Sequence, residues 1–163
     1  MNSRSSKWFE VSVRYERQME DSSQKKVTEL YVVEALSFSE AEVMITQEMS
    51  SFVSGEFEVK NITPAVYGEI FFSDNMNDDR WYKSRLSFIT IDEKTEKEKR
   101  TNVTYLVQAS TFNAAVKNIE SVMSGTLIDY VISNITETKI MDVYTHDEIV
   151  KSNAKDDKPE YEQ

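Results

Sequence analysis

The chain has 163 residues, 39% of them hydrophobic and 29% charged, with a formal net charge of −10; that size and balance support one water-soluble folded domain with its own core and exclude global disorder. It contains no cysteine, so disulfides, zinc–thiolate sites and thiol nucleophiles are ruled out. A uniformly acidic surface repels phosphate backbones and anionic lipid, no stretch approaches the roughly 20 apolar residues of a membrane span, and the first residues carry no apolar signal core, so the expected setting is cytoplasmic and away from membranes.

Residues 1–6 read as an N-terminal tail. From Trp8 to Tyr15 the chain alternates, with Phe9, Val11, Val13 and Tyr15 on one face and Trp8, Glu10, Ser12 and Arg14 on the other, which predicts a half-buried strand. A charged connection, residues 16–26, predicts a hairpin loop before a second strand, residues 27–35, that carries Tyr31, Val33 and Ala35 on its core face. Ser37 with Glu40, or Ser39 with Glu42, has capping-box spacing, and Ala41, Met44, Ile45, Met49 and Phe52 then share a helical face. Gly55 suits the residue beyond that helix. An extended segment, residues 57–72, follows; Pro64 lacks a ladder N–H and predicts a bulge or break. Pattern leaves open whether 57–72, and later 128–145, is one bent strand or two.

The same order then returns. Lys7-Trp8-Phe9 matches Arg80-Trp81-Tyr82, Tyr31-Val32-Val33-Glu34-Ala35 matches Tyr105-Leu106-Val107-Gln108-Ala109, and Asn61-Ile62-Thr63 matches Asn134-Ile135-Thr136. The offset changes by one residue in the hairpin loop and changes back after the helix, where insertions are tolerated. Thr111 or Asn113 is the expected second cap, Ala115, Ile119, Val122 and Met123 the second apolar stripe, and Gly125 the residue past its end. The expected fold is α+β: two tandem ββαβ repeats, 7–74 and 80–147, joined by a linker at 75–79 and related by a pseudo-twofold, with two helices packed on a shared, mainly antiparallel sheet. A partly closed barrel is the alternative. Residues 148–163 read as a charged, disordered tail.

Chemistry is sparse. The single histidine, His146, precedes Asp147, and neighbours on a strand point to opposite faces, so the pair forms no catalytic triad. Three scattered glycines exclude a phosphate-cradling loop or a dinucleotide fingerprint. Asn75, Asn77 and Asp79 open like a calcium loop, but Arg80 replaces the turn glycine and Leu86 the bidentate glutamate. No catalytic residue, metal or cofactor is assigned. Glu34 lies inside an apolar strand, and its counterpart is the neutral Gln108. The Trp8 and Trp81 positions lie opposite the main core face, beside Arg14 in one half and Lys83 and Arg85 in the other. Aromatics beside cations suit packing, self-association, a protein partner or stacked single-stranded bases.

Three functions compete. A non-catalytic binding or assembly module would use Trp8, Arg14, Trp81, Lys83 and Arg85 for self-association or a partner protein. A small-ligand or enzymatic cleft between the repeats would use Tyr31, Glu34, Tyr105 and Gln108. Single-stranded nucleic acid would use the tryptophan faces, against the acidic total. The first takes the lead. Finally, Trp8-Phe9, Glu40-Ala41-Glu42 and Ile62-Thr63 resemble a family of small domains of unknown function from Bacteroidetes-type bacteria, their phages and mobile elements. That resemblance implies a cytoplasmic or phage-encoded accessory protein and brings no catalytic residue with it.

Overall fold

Alternating segments build the strands and hydroxyl caps start the helices of a mixed α+β structure, in which the helices Phe38–Ser50 and Phe112–Ser124 and two sheets lie among the described residues. The computed structural model describes residues 2–4 and 7–146; the expected tail at 148–163 lies outside them. The described residues fall into two compact units, one of residues 7–65 and 140–146, the other of 2–4 and 66–139. We call them the β2 unit and the β6 unit after their central strands.

In the β2 unit, β2 (Trp8–Gln18) and β3 (Gln24–Glu34) form an antiparallel hairpin in which Trp8 pairs with Glu34 and Gln18 with Gln24. The edge strand β4 (Phe57–Ala65) runs antiparallel along β2, and β9 (Ile140–Tyr144) runs parallel along β3. The order is β4-β2-β3-β9. Helix α1 (Phe38–Ser50) starts where Ser37 Oγ accepts the Glu40 N–H at 3.1 Å. Its Ala41, Met44, Ile45 and Met49 pack on Phe9, Val11, Val13, Tyr31, Val33 and Ala35, each fully buried large side chain contributing about 1.5–3 kcal/mol. Phe52 is not part of that stripe. The helix ends at Ser50, with Ser51 as its cap, so Phe52 falls out of helical phase and stays 52% exposed; Gly55 lies farther on and does not end the helix.

In the β6 unit, β6 (Arg80–Ile91) and β7 (Glu98–Ala109) form the hairpin, with Trp81 paired to Gln108. The edge strand β8 (Asp129–Glu137) runs antiparallel along β6, and β5 (Glu69–Phe72) parallel along β7. Residues Asn2–Arg4, expected as tail, form β1 against β5, and the order is β1-β5-β7-β6-β8. Helix α2 (Phe112–Ser124) starts at Thr111, whose hydroxyl accepts the Ala114 N–H at 3.1 Å, and ends at Gly125. Ile119 and Met123 pack on Phe71, Leu86, Tyr105 and Val107, while Ala115 packs with Tyr82 and Ala109.

Two expectations change. The single shared sheet is replaced by two sheets, because β5 and β9 do not continue the antiparallel ladders of β4 and β8. Each instead supplies a parallel partner to the outer side of a hairpin, β5 to β7 and β9 to β3. Parallel pairing needs a connection longer than a hairpin turn; β6 lies between β5 and β7, and both helices with β4 to β8 lie between β3 and β9. Residues 57–72 and 128–145 are therefore two strands each. Pro64 neither bulges nor breaks β4. It pairs with Phe9 near the end of an edge strand, where a missing N–H is tolerated. The register shift lies instead between Ser12 and Val13, which pair with Asn61 and Val59.

Candidate functional site

The indoles are the first test of a surface site, and neither is on the surface. Trp8 is 2% exposed and Trp81 1%. The Trp81 ring meets Phe72 edge-to-face, centroids 5.4 Å apart, while the buried Trp8 Nε1 has no hydrogen-bond partner. Alternation fixes the side of a strand on which a residue lies, not whether that side is covered. Trp8-Phe9 and Trp81-Tyr82 are buried on both faces, so no indole face is open to stack a base or a partner residue. The cations proposed beside them separate accordingly. Arg14 is exposed at the mouth of an open depression of about 620 Å³ that Lys26, Glu56 and Glu58 also line. Lys83 lies over the Tyr67 ring, 5.6 Å from its centroid, and Arg85 is exposed.

The four cleft candidates do not converge within their units. Tyr31 lies on the helix-facing side of β3 and Glu34, three residues on, projects to the other; Tyr105 and Gln108 divide in the same way. Glu34 is buried, and its Oε1 accepts the backbone N–H of His146 at 2.9 Å, just past the end of β9. In the β6 unit, Gln108 Oε1 accepts the backbone N–H of Ser73 at 3.0 Å, just past the end of β5. One acceptor oxygen therefore ties off the parallel strand in each unit, and an amide does this as well as a carboxylate. Glu34→Gln is expected to change unfolding free energy by less than about 0.5 kcal/mol, whereas Glu34→Leu strands the His146 N–H and costs about 1–3 kcal/mol, a contrast that urea unfolding measures.

Sequence reasoning missed two polar groupings, both in the β2 unit. His146 Nε2 lies 3.0 Å from Glu40 Oε1, in the first turn of α1. The Ser37-to-Glu40 spacing located Glu40, but nothing in the spacing brings residue 146 to it. In the second grouping, Glu29 joins two phenols: Tyr15 donates to Oε1 at 2.7 Å and Tyr31 to Oε2 at 2.6 Å. Tyr31 also stacks on Tyr144, centroids 5.7 Å apart. Burial, and then the hydrogen bond to Glu29 and its charge, push the Tyr15 hydroxyl up to about 12. The same causes, burial first, raise Tyr31 as well. Both tyrosines therefore stay protonated as donors across the physiological range.

The sequence profile of one family, Domain of unknown function (DUF4494), matches residues 7–146, which takes in both units. The chain belongs to the DUF4494 family. No curated protein and no solved structure matches it. In this DUF4494 domain no helix among the described residues is long and apolar enough to cross a membrane. Among the same residues no three carboxylate or imidazole side chains gather closely enough to hold a metal ion. The candidate acids and phenols of the β2 unit are instead engaged in hydrogen bonds within the fold.

Proposed function

We propose that this DUF4494 chain is a non-catalytic binding or assembly module that associates with itself or with a partner protein. One observation carries the reading. The acceptor beside each parallel strand is Glu34 in one unit and Gln108 in the other, making the same kind of bond to a backbone N–H. A position served equally by an acid and an amide acts as an acceptor and not as a proton-transfer group.

The two-repeat origin of the chain, with a pseudo-twofold, belongs to this proposal. It is supported by the helix caps at Ser37 and Thr111 and by the register shifts at Ser12/Val13 and Arg85/Leu86. The reciprocal placement of β5 beside β7 and β9 beside β3 supports it too. The setting that the family resemblance implies, a cytoplasmic accessory protein of Bacteroidetes-type bacteria, their phages or mobile elements, is also part of the proposal.

Sedimentation equilibrium of the full chain tests the self-association part. The expected result is a weight-average mass that rises above the monomer as concentration increases. A monomer at every concentration would defeat it.

A further inference from the structure

The outer edges of the two sheets are protected in different ways. An edge strand presents a row of unpaired N–H and C=O groups, and soluble proteins blunt such edges with charge, proline, a bulge or a covering element. β4 carries Glu58 and Lys60, 3.6 Å apart, and Pro64. β8 is bulged: its pairing with β6 shifts between Arg85 and Leu86 and passes over Ser133, and a bulge bends a strand and twists its edge away. β9 carries Asp142, and its pairing with β3 shifts between Leu30 and Tyr31 and passes over Met141. β5 has no such device. Ile70-Phe71-Phe72 holds no charge and no proline, and its pairs with β1 and β7 run without a shift. Ile70 and Phe71 are buried, Phe71 against Ile119 and Met123 of α2, so a bare β5 edge would leave backbone groups unpaired at the rim of that core. Among the described residues it is β1, Asn2–Arg4, that covers this edge.

We propose that this seat on β5 is where two copies of the chain join, each lending its β1 to the β5 of the other, so that exchange of the β1 strands closes a two-fold dimer. This rests on the assembly reading above and names its surface. The segment seated on β5 identifies the occupant. A second copy carries the same three residues. In the register Asn2 against Phe72, Ser3 against Phe71 and Arg4 against Ile70, exchange reproduces every main-chain pair that the home strand makes. β1 is held lightly: it spans three residues and is led by asparagine, a residue depleted in strands. Its chain continues through residues 5–7 into β2, which belongs to the other unit, so β1 is not the arm of a hairpin in the sheet that it completes. Short connections of this kind invite exchange. Main-chain hydrogen bonds supply the affinity, as in other strand-addition contacts. The tether holds the home strand at an effective concentration on the order of millimolar, and the exchanged dimer of the unaltered chain forms with a Kd of that order.

Sedimentation equilibrium on the unaltered chain and two variants tests it, with circular dichroism to establish that each is folded. Ser3→Pro together with Arg4→Pro removes two adjacent N–H groups, one of which points at β5 whichever way the ladder alternates. It takes β1 off β5 in both forms, and the dimer is expected to disappear. Removing Ser5 and Ser6 shortens the reach of the tether by about 7 Å. That denies β1 its home seat but not the seat on a second copy, and is expected to tighten the dimer at least about tenfold. A merely structural β1 would change stability in these variants without moving the dimer. A dimer that survives the two prolines overturns the β5 seat and leaves the assembly reading standing. A shortened chain that dimerises no better than the unaltered one overturns the exchange and leaves β1 a fixed part of its own sheet. Absence of any dimer in the unaltered and the shortened chain alike overturns both.

Discussion

Replacing Trp81 by alanine is expected to cost about 3–5 kcal/mol of unfolding free energy, the range for a large aromatic removed from a packed interior. Trp81 is 1% exposed and packs edge-to-face on Phe72, so its loss removes hydrophobic burial and an aromatic pair and leaves a cavity. A surface tryptophan would cost less than about 0.5 kcal/mol. Urea unfolding separates these outcomes by a wide margin. The chain has two tryptophans, both buried, so native emission is expected at short wavelength and shifts red on unfolding. Trp8 offers an internal contrast. Its indole N–H has no partner, a condition that itself costs about 1–3 kcal/mol. Trp8→Phe removes that donor along with some volume, and is expected to be much milder than Trp81→Ala. A Trp81→Ala protein with unchanged stability would return the indole to the surface.

The contrast between Trp8 and its neighbours shows what the sequence carries and what it lacks. Local chemistry was legible: the alternation from Trp8 to Tyr15, the caps at Ser37 and Thr111, and the apolar stripe Ala41, Met44, Ile45 and Met49 each follow from short-range rules. Which strand pairs with which is not a short-range property. Nothing in Glu69–Phe72 says that it lies parallel to β7, because a parallel partner leaves no turn signal next to it in the chain. The covered second faces of Trp8 and Trp81 belong to the same class of information. Glu29 is different. It shares parity with Tyr31 and Val33, so alternation alone sets a carboxylate on the apolar side of β3, and that conflict was a readable sign that something must satisfy it. The signal for Glu34 was half readable. The Gln108 match argued against a proton-transfer role, but the bond to the His146 N–H depends on where β9 lies.

That readable conflict leads to the sharpest electrostatic expectation. Glu29 accepts from Tyr15 and Tyr31 at once. Replacing it by leucine leaves the buried Tyr31 hydroxyl without its acceptor while Tyr15 turns to water, and is expected to cost about 2–4 kcal/mol, because hydrogen bonds to a charged acceptor are the stronger kind. Tyr31→Phe removes the donor and strands nothing, so it is expected to cost less than half as much. The pH dependence carries the same mark. In the folded chain Tyr15 holds its proton up to about 12, against 10.0 for an unperturbed tyrosine, and Tyr31 is also raised. The unfolded state therefore loses these protons first. The stability that the protonated phenols contribute is complete below pH 10 and is lost as pH climbs through the folded value near 12. Glu29→Gln offers one carbonyl oxygen where the carboxylate offered two and carries no charge, so both phenols move back toward ordinary values and the alkaline loss of stability shrinks. Ultraviolet titration of tyrosinate in the folded protein, compared with urea unfolding at stepped alkaline pH, measures both effects. Identical titration of Tyr15 and Tyr31 in the two proteins would mean that the Glu29 carboxylate does not hold them.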